Sequence, residues 1–282
     1  MNFSKVGAEV FVPDGAPVDA ALRRTTHLAV GAHQDDLEIM ALEGILAGFG
    51  RQDAWFTGVI VTSGSGSPRD GLYASYTDTE MQTVRRKEQK KAAVVGEYAS
   101  AVFLDYSSAE AKDPANVEVV ADLGRLLEAT APSVVYTHNL ADKHPTHVAV
   151  ALRLIRAIRS LPADRRPARV VGCEVWRDLD WLADADKVVF RLDSHENIAA
   201  SLVGVFDSQI IGGKRYDLAT MGRRRAHATY LESHAVDASQ LVNFGMDLTP
   251  LIMDGGPDAA AYVRAHIERF GDEVEAALAK LA

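Results

Sequence analysis

The sequence predicts an α/β fold, in which a mainly parallel sheet is flanked by helices and followed by a helical C-terminal part. Short apolar runs alternate with stretches of helical periodicity, which is typical of βαβ units. Several runs are almost continuous in Val, Ile and Leu, as in parallel strands that are buried on both faces. After residue 194, helical patterns dominate.

Six apolar runs are predicted to be the strands, at residues 28–32, 56–61, 101–104, 134–137, 170–175 and 188–192. Residues 1–24 precede them and contain Pro13, Gly15 and Pro17, so we expect an irregular N-terminal arm. No linker, repeat or low-complexity tract interrupts the rest. Residues 25–282 are therefore predicted to form one α/β domain.

Helices are predicted between and after the strands. Thr77 and Glu80 have the capping-box pattern, and the helix that they begin is expected to end near Gly96. Apolar residues at three- and four-residue steps predict helices over 117–129 and 148–158. Further helices are predicted in the C-terminal part, over residues 198–206, 216–232 and 259–281.

Composition excludes several classes of protein. With 48% hydrophobic and 24% charged residues, the chain is neither disordered nor collagen-like. Cys173 is the only cysteine, and we find neither a signal-peptide pattern nor a run of about 18 apolar residues. We therefore expect a cytoplasmic protein without a membrane partner. The net charge of −9 argues against a nucleic-acid partner, and the basic run 223–225 is predicted to be a solvated helix face.

Two polar clusters follow predicted strands. His33, Asp35 and Asp36 come after the first strand, while His144 and His147 come after the run 134–137. If the strands are parallel, both clusters lie at the same edge of the sheet, where α/β proteins bind ligands. A helix cap needs one of the acids, but not both acids and a histidine. Because two imidazoles and a carboxylate suit Zn²⁺, the pattern favours a metal or catalytic site.

These clusters resemble motifs of the PIG-L/LmbE-like family of metal-dependent N-deacetylases. Residues 32–38, AHQDDLE, resemble its AHPDDxE signature, and residues 144–147, HPTH, resemble its HPDH motif. Weaker similarities extend the resemblance over about residues 26–234, at the helix around residues 85–96 and at residues 174–176, 208–209 and 230–232.

The resemblance implies a Rossmann-like fold, a homo-oligomer (trimer or hexamer) and a zinc-dependent hydrolase, with Fe²⁺ or another divalent ion as the alternative metal. The implied reaction removes an N-acetyl group from an amino sugar or a related N-acetylated small molecule. The residues that match the family motifs are the metal ligands His33, Asp36 and His147, the general base Asp35, the acid or oxyanion stabiliser His144 and the substrate-binding Arg85.

Two departures from the motifs leave alternatives open. Gln34 replaces a proline, and Thr146 replaces the acid that orients the preceding histidine in the family, with Asp142 as the nearest substitute. Loss of that acid is the one feature that favours a non-catalytic carbohydrate-binding descendant of the deacetylase fold. The set of two histidines and one carboxylate also fits a non-haem Fe(II) oxygenase, although such sites usually lie in β-barrels.

Overall fold

One eight-stranded sheet organises the protein, and a computed structural model describes it over residues 1–282. The strands are β1 (Glu9–Phe11), β2 (His27–Gly31), β3 (Phe56–Thr62), β4 (Ser100–Tyr106), β5 (Val134–His138), β6 (Arg169–Cys173), β7 (Lys187–Arg191) and β8 (Val242–Asp247). Their order across the sheet is β1-β4-β3-β2-β5-β6-β8-β7. The five strands from β4 to β6 pair in parallel, and β1, β7 and β8 pair antiparallel. This architecture confirms the predicted fold class.

Helices cover both faces of the sheet. They are α1 (Val18–Arg23), α2 (Asp36–Met40), α3 (Leu42–Gly48), α4 (Asp78–Val95), α5 (Ser108–Lys112), α6 (Glu118–Thr130), α7 (Pro145–Arg159), α8 (Glu196–Gly204), α9 (Asp207–Ile210), α10 (Tyr216–Tyr230) and α11 (Ala259–Leu281). Leu28 and Val30 of β2 pack against the face that includes α6 and α7. Ala29 points to the other face, with α2, α3 and α4. No helix combines the length and the apolar character that a membrane crossing needs.

The helix starts follow the local sequence. Thr77 and Glu80 form a complete capping box at the start of α4, in which the Glu80 carboxylate accepts the Thr77 N–H at 2.8 Å. Helix α7 begins at Pro145, a residue favoured at the first helical position because its fixed φ suits a helix and it needs no hydrogen-bond acceptor. His144 and His147 therefore flank the first turn of α7.

The C-terminal part contains a strand that the sequence does not reveal. Strand β8 lies between β6 and β7 and pairs antiparallel with both. Asn243 and Gly245 interrupt its apolar pattern, and such residues are uncommon in strands. The sheet requires the glycine here, because a Cβ at Gly245 would lie 2.5 Å from the Val171 side chain.

Residues 1–24 contain regular structure at the edge of the sheet. Strand β1 pairs with β4, and Glu9 in β1 forms ion pairs with Arg86 (3.2 Å) and Lys90 (2.5 Å) of α4. Helix α1 buries Leu22 in the core. The division into an arm of residues 1–24 and a domain of residues 25–282 stays a prediction.

Candidate metal centre

The two polar clusters meet where β2 and β5 end. These strands are parallel neighbours, with His27 opposite Val134. Strand β2 ends at Gly31, just before the segment 32–38, and β5 ends at His138, which leads to the segment 144–147. The predicted convergence of the two clusters is confirmed.

The three predicted ligand side chains have donor atoms that lie close to one another. His33 Nδ1 lies 3.2 Å from His147 Nε2 and 3.3 Å from Asp36 Oδ2. His147 Nε2 lies 3.4 Å from Asp36 Oδ1. Metal–ligand bonds of about 2.0–2.1 Å at tetrahedral angles place two donors roughly 3.3 Å apart. The chemistry of the three side chains and their proximity therefore fit a divalent ion such as Zn²⁺, with His33 nearest to one Asp36 oxygen and His147 nearest to the other.

His138 offers a second combination of donors, which the sequence did not indicate. One nitrogen of His138 lies within 4.8 Å of donor atoms of Asp36 and His147, and these two donor atoms are equally close to each other. A further group within the same distance is formed by ring nitrogens of His33, His144 and His147. However, His138 Nε2 accepts the N–H of Ala32 at 2.9 Å, which occupies its lone pair. We therefore assign His138 to the support of the centre rather than to the ligand set.

Asp35 and Asp36 direct their carboxylates to different partners. Asp35 has a backbone φ of +100°, which residues other than glycine rarely adopt. Its Oδ2 lies 3.2 Å from Arg85 Nη2, while Asp36 faces the imidazoles. Burial and the neighbouring Asp36 raise the pKa of Asp35, although Arg85 opposes them. Burial also acts to raise the pKa of Asp36, but His147 and His138 hold it well below its ordinary value.

Arg85 is engaged by the protein itself. Its guanidinium donates to the Gln34 carbonyl, to Ser67 Oγ and to Asp35, and the residue is buried. Three residues along α4, Glu88 accepts the backbone N–H and the hydroxyl of Ser208, both at 2.7 Å. The middle of α4 thus joins two of the weaker sequence similarities to the site.

The ring of His144 lacks an acidic partner. Asp142 Oδ1 accepts the backbone N–H of His144 at 2.9 Å, but Oδ2 lies 3.5 Å from Nδ1 of His147. His144 Nδ1 is buried without a hydrogen-bond partner, and Thr146 cannot supply a carboxylate. Asp142 therefore lies beside His147 and does not replace the motif acid at His144. Burial and the nearby His147 lower the pKa of His144 to about 4.

A cavity of about 350 Å³ opens above the centre. Of the six predicted site residues, all except the fully buried His147 line it. Four other lining residues were given no role from the sequence, namely Lys112, Trp176, Lys214 and Tyr216. Trp176 lies in one of the weak similarities, but the other three lie in no recognisable motif.

Comparison with known proteins identifies the segment that carries both motifs. Residues 28–158 match the family model PIG-L, described as GlcNAc-PI de-N-acetylase. These residues are similar to the PIG-L family. The match contains all six predicted site residues, and it confirms the resemblance seen in the sequence.

The chain is similar to individual proteins as well as to the family model. It is 27% identical over 156 residues to the uncharacterized deacetylase YaiS of Escherichia coli K12, which covers 54% of this chain and 77% of the relative. The N,N′-diacetylchitobiose deacetylase of Pyrococcus horikoshii has a TM-score of 0.58 at 17% identity, over 78% of this chain and 83% of that chain.

A third relative has a different reaction. The 4-carboxy-2-hydroxymuconate hydratase GalB of Pseudomonas putida KT2440 has a TM-score of 0.60 at 17% identity, over 79% of this chain and 96% of that chain. At such identities the two structural likenesses establish the shared fold alone. Since one fold accompanies two reactions, the reaction of this protein must be argued from its site.

Proposed function

We propose that the protein is a zinc-dependent N-deacetylase that acts on an N-acetylated amino sugar or a related small molecule. The observation that carries the proposal is that His33 Nδ1 and His147 Nε2 lie 3.2 Å apart, each within 3.4 Å of one oxygen of the Asp36 carboxylate. The match of residues 28–158 to the model of a deacetylase family supports it independently.

His33, Asp36 and His147 would hold the ion. When bound, a divalent ion supplies Lewis acidity, which polarises a carbonyl and lowers the pKa of water. Asp35 lines the same cavity and would take the proton of the water that attacks the acetyl carbonyl. His144 would stabilise the oxyanion or protonate the nitrogen as the C–N bond breaks, which releases acetate and the amine.

The proposal is tested by metal content and by acetate release. Protein purified with Zn²⁺ or Fe²⁺ should contain one ion per chain, and it should release acetate and free amine from N-acetylated sugars without oxygen. His147→Ala should lose the ion, whereas the exposed His234→Ala should retain it. Retention of the ion by His147→Ala would overturn the ligand assignment.

The same assay separates the alternatives. A non-haem Fe(II) oxygenase requires oxygen, so anaerobic acetate release contradicts that alternative. A non-catalytic binding protein would bind a sugar and release no acetate. The homo-oligomer, trimer or hexamer, and the cytoplasmic location stay predictions, of which light scattering tests the first.

A further inference from the structure

We propose that the cavity selects N-acetylated substrates that carry an anionic group, a phosphate or a carboxylate, which Lys112 and Lys214 bind. The inference rests on the proposed deacetylase function and narrows its substrate class. It follows from three observations. Two lysines of the cavity wall have no ion-pair partner, and one of them contacts a tryptophan that lies near the predicted metal centre. The third observation is the negative net charge of the protein.

The two lysines are free to bind a ligand. All ion pairs of lysine in the structure are formed by Lys5, Lys90 and Lys187. Lys112 and Lys214 therefore have no carboxylate within 4.0 Å, although both line the cavity. The third cation of the wall, Arg85, is already paired with Asp35 at 3.2 Å.

Lys214 contacts an aromatic side chain, Trp176, that also lies near the predicted metal centre. Its Nζ is 5.0 Å from the centroid of the Trp176 ring, which favours a cation over the indole face. The Trp176 ring lies 6.5 Å from that of His144, with an angle of 25° between the planes. Tyr216 contacts the indole edge-on at 6.2 Å. A substrate with its amide at the centre can thus extend along Trp176 towards Lys214.

Lys112 comes from a different part of the chain. It is the last residue of α5, and α5 packs against α7, the helix that begins at the metal centre. Lys112, Ser108 and Thr146 line the cavity from this side. Two cations from elements about 100 residues apart in the chain thus converge on one cavity.

The net charge makes this local pair of cations informative. The protein carries a net charge of −9, so its overall field repels anions. An anion in the cavity would meet two ammonium groups that no carboxylate neutralises. Lysine binds phosphate and carboxylate as a point charge, and a hydrogen bond to a charged group is among the stronger ones in proteins. We therefore infer a subsite for an anionic group.

The first experiment compares neutral and anionic substrates with the metal-loaded protein. The probes are N-acetylglucosamine, its 1-phosphate and 6-phosphate, and N-acetylmuramic acid, which carries a carboxylate. We expect kcat/KM for at least one anionic probe to exceed that for N-acetylglucosamine by about tenfold or more. The preferred probe distinguishes phosphate from carboxylate. Equal or better hydrolysis of the neutral sugar overturns the inference and leaves the deacetylase proposal intact.

Matched variants assign the effect to the two lysines. Lys112→Met and Lys214→Met should each reduce the ratio of kcat/KM between the anionic and neutral probes by about tenfold, mainly through KM. Lys91→Met, which removes the same charge from the exposed face of α4, should leave the ratio unchanged. An unchanged ratio in both cavity variants contradicts the inference.

A binding measurement keeps the two proposals separable. If no N-acetylated probe is hydrolysed, the deacetylase proposal fails, and calorimetry then tests the subsite with glucosamine 6-phosphate, glucosamine 1-phosphate and glucosamine. Tighter binding of at least one of the phosphates, reduced in Lys112→Met or Lys214→Met but not in Lys91→Met, supports the inference. Equal binding of all three compounds contradicts it.

Discussion

The imidazole rings of His138 and His147 stack face to face, with centroids 3.8 Å apart and planes inclined by 18°. His144 stacks on the other side of His147, at 4.5 Å. His138 Nε2 accepts the N–H of Ala32, so the same ring joins the ends of β2 and β5. Packed between these two rings, His147 is held in one orientation, as a metal-binding imidazole requires, and the Asp142 carboxylate lies 3.5 Å from its Nδ1.

Replacement of His138 should therefore weaken metal binding without removing a ligand. His138→Phe keeps an aromatic ring beside His147 but leaves the buried N–H of Ala32 without an acceptor. We expect a loss of about 1–3 kcal/mol in the free energy of unfolding and a roughly 10–100-fold weaker Zn²⁺ affinity. Urea denaturation and competition with a chelator measure the two effects. A variant that is destabilised but binds Zn²⁺ as tightly as the wild type would show that His138 does not support the centre.

Substitution of Asp35 and of Asp36 should have different effects on metal binding and on activity. Asp35→Asn removes a carboxylate that faces Arg85 and the cavity, and Asn also tolerates positive φ. We expect it to keep one ion per chain while its deacetylation rate falls on the order of 10²–10⁴-fold. Asp36→Asn should instead bind the ion weakly, and excess Zn²⁺ should partly restore its activity.

Metal analysis and acetate release together check this pair. If Asp35→Asn lost the ion while Asp36→Asn kept both ion and activity, the two roles would have to be exchanged. Circular dichroism of both variants serves as the control for folding, because Asp36 also accepts the backbone N–H of His33 at 2.6 Å.

The sequence could predict the centre because its residues lie directly after two regular strands. The parallel pairing of β2 and β5 then fixes which end of the sheet they share. It could not predict that Trp176 and Lys214 line the cavity, because both lie in irregular segments whose path depends on tertiary packing. The role of His138 was also not predicted. A histidine at the end of a strand has no spacing pattern that distinguishes a ring packed beside the site from an exposed one.

The helix that contains Arg224 was predicted correctly, but the exposure of Arg224 was not. Residues 223–225 were expected to form a solvated face, but Arg224 is 0% exposed. Its Nη2 donates to the carbonyls of Glu38 and Ile39, at 2.7 and 3.2 Å, near the end of α2. Three consecutive residues of a helix point about 100° apart, so one of them can face the core while its neighbours are solvated.

We expect Arg224→Lys to destabilise the protein. Lysine keeps the long stem and the charge, but it lacks the planar guanidinium and cannot reproduce its donor geometry. The free energy of unfolding should fall by about 1.5–3 kcal/mol, the contribution of hydrogen bonds to a charged group. Arg225→Lys, in an exposed ion pair with Glu196, should change it by about 0.5 kcal/mol or less. Equal stabilities of the two variants in urea denaturation would contradict the prediction.

An ion pair joins the N-terminal segment to the helix that carries Lys112. Lys5 Nζ lies 2.6 Å from Glu110 of α5. The hydrogen bond from Lys5, followed by that from the Ser107 N–H, lowers the pKa of Glu110 from 4.5 to about 2. Because this pKa is lowered on folding, the pair stabilises the protein above about pH 4.5, and the contribution disappears as the pH falls towards 2.

Lys5→Met should therefore raise the pKa of Glu110 towards 4.5 and destabilise the protein most near neutral pH. The side chain of Glu110 is 36% exposed, so solvent screening limits the loss to about 1 kcal/mol or less. Carboxyl ¹³C NMR titration measures the pKa, and urea denaturation at pH 7 and pH 3 measures the stability. The difference between wild type and variant should shrink at pH 3, since unfolded Glu110 is then protonated. A difference that stayed the same at both pH values would assign the effect to packing of the Lys5 stem and not to its charge.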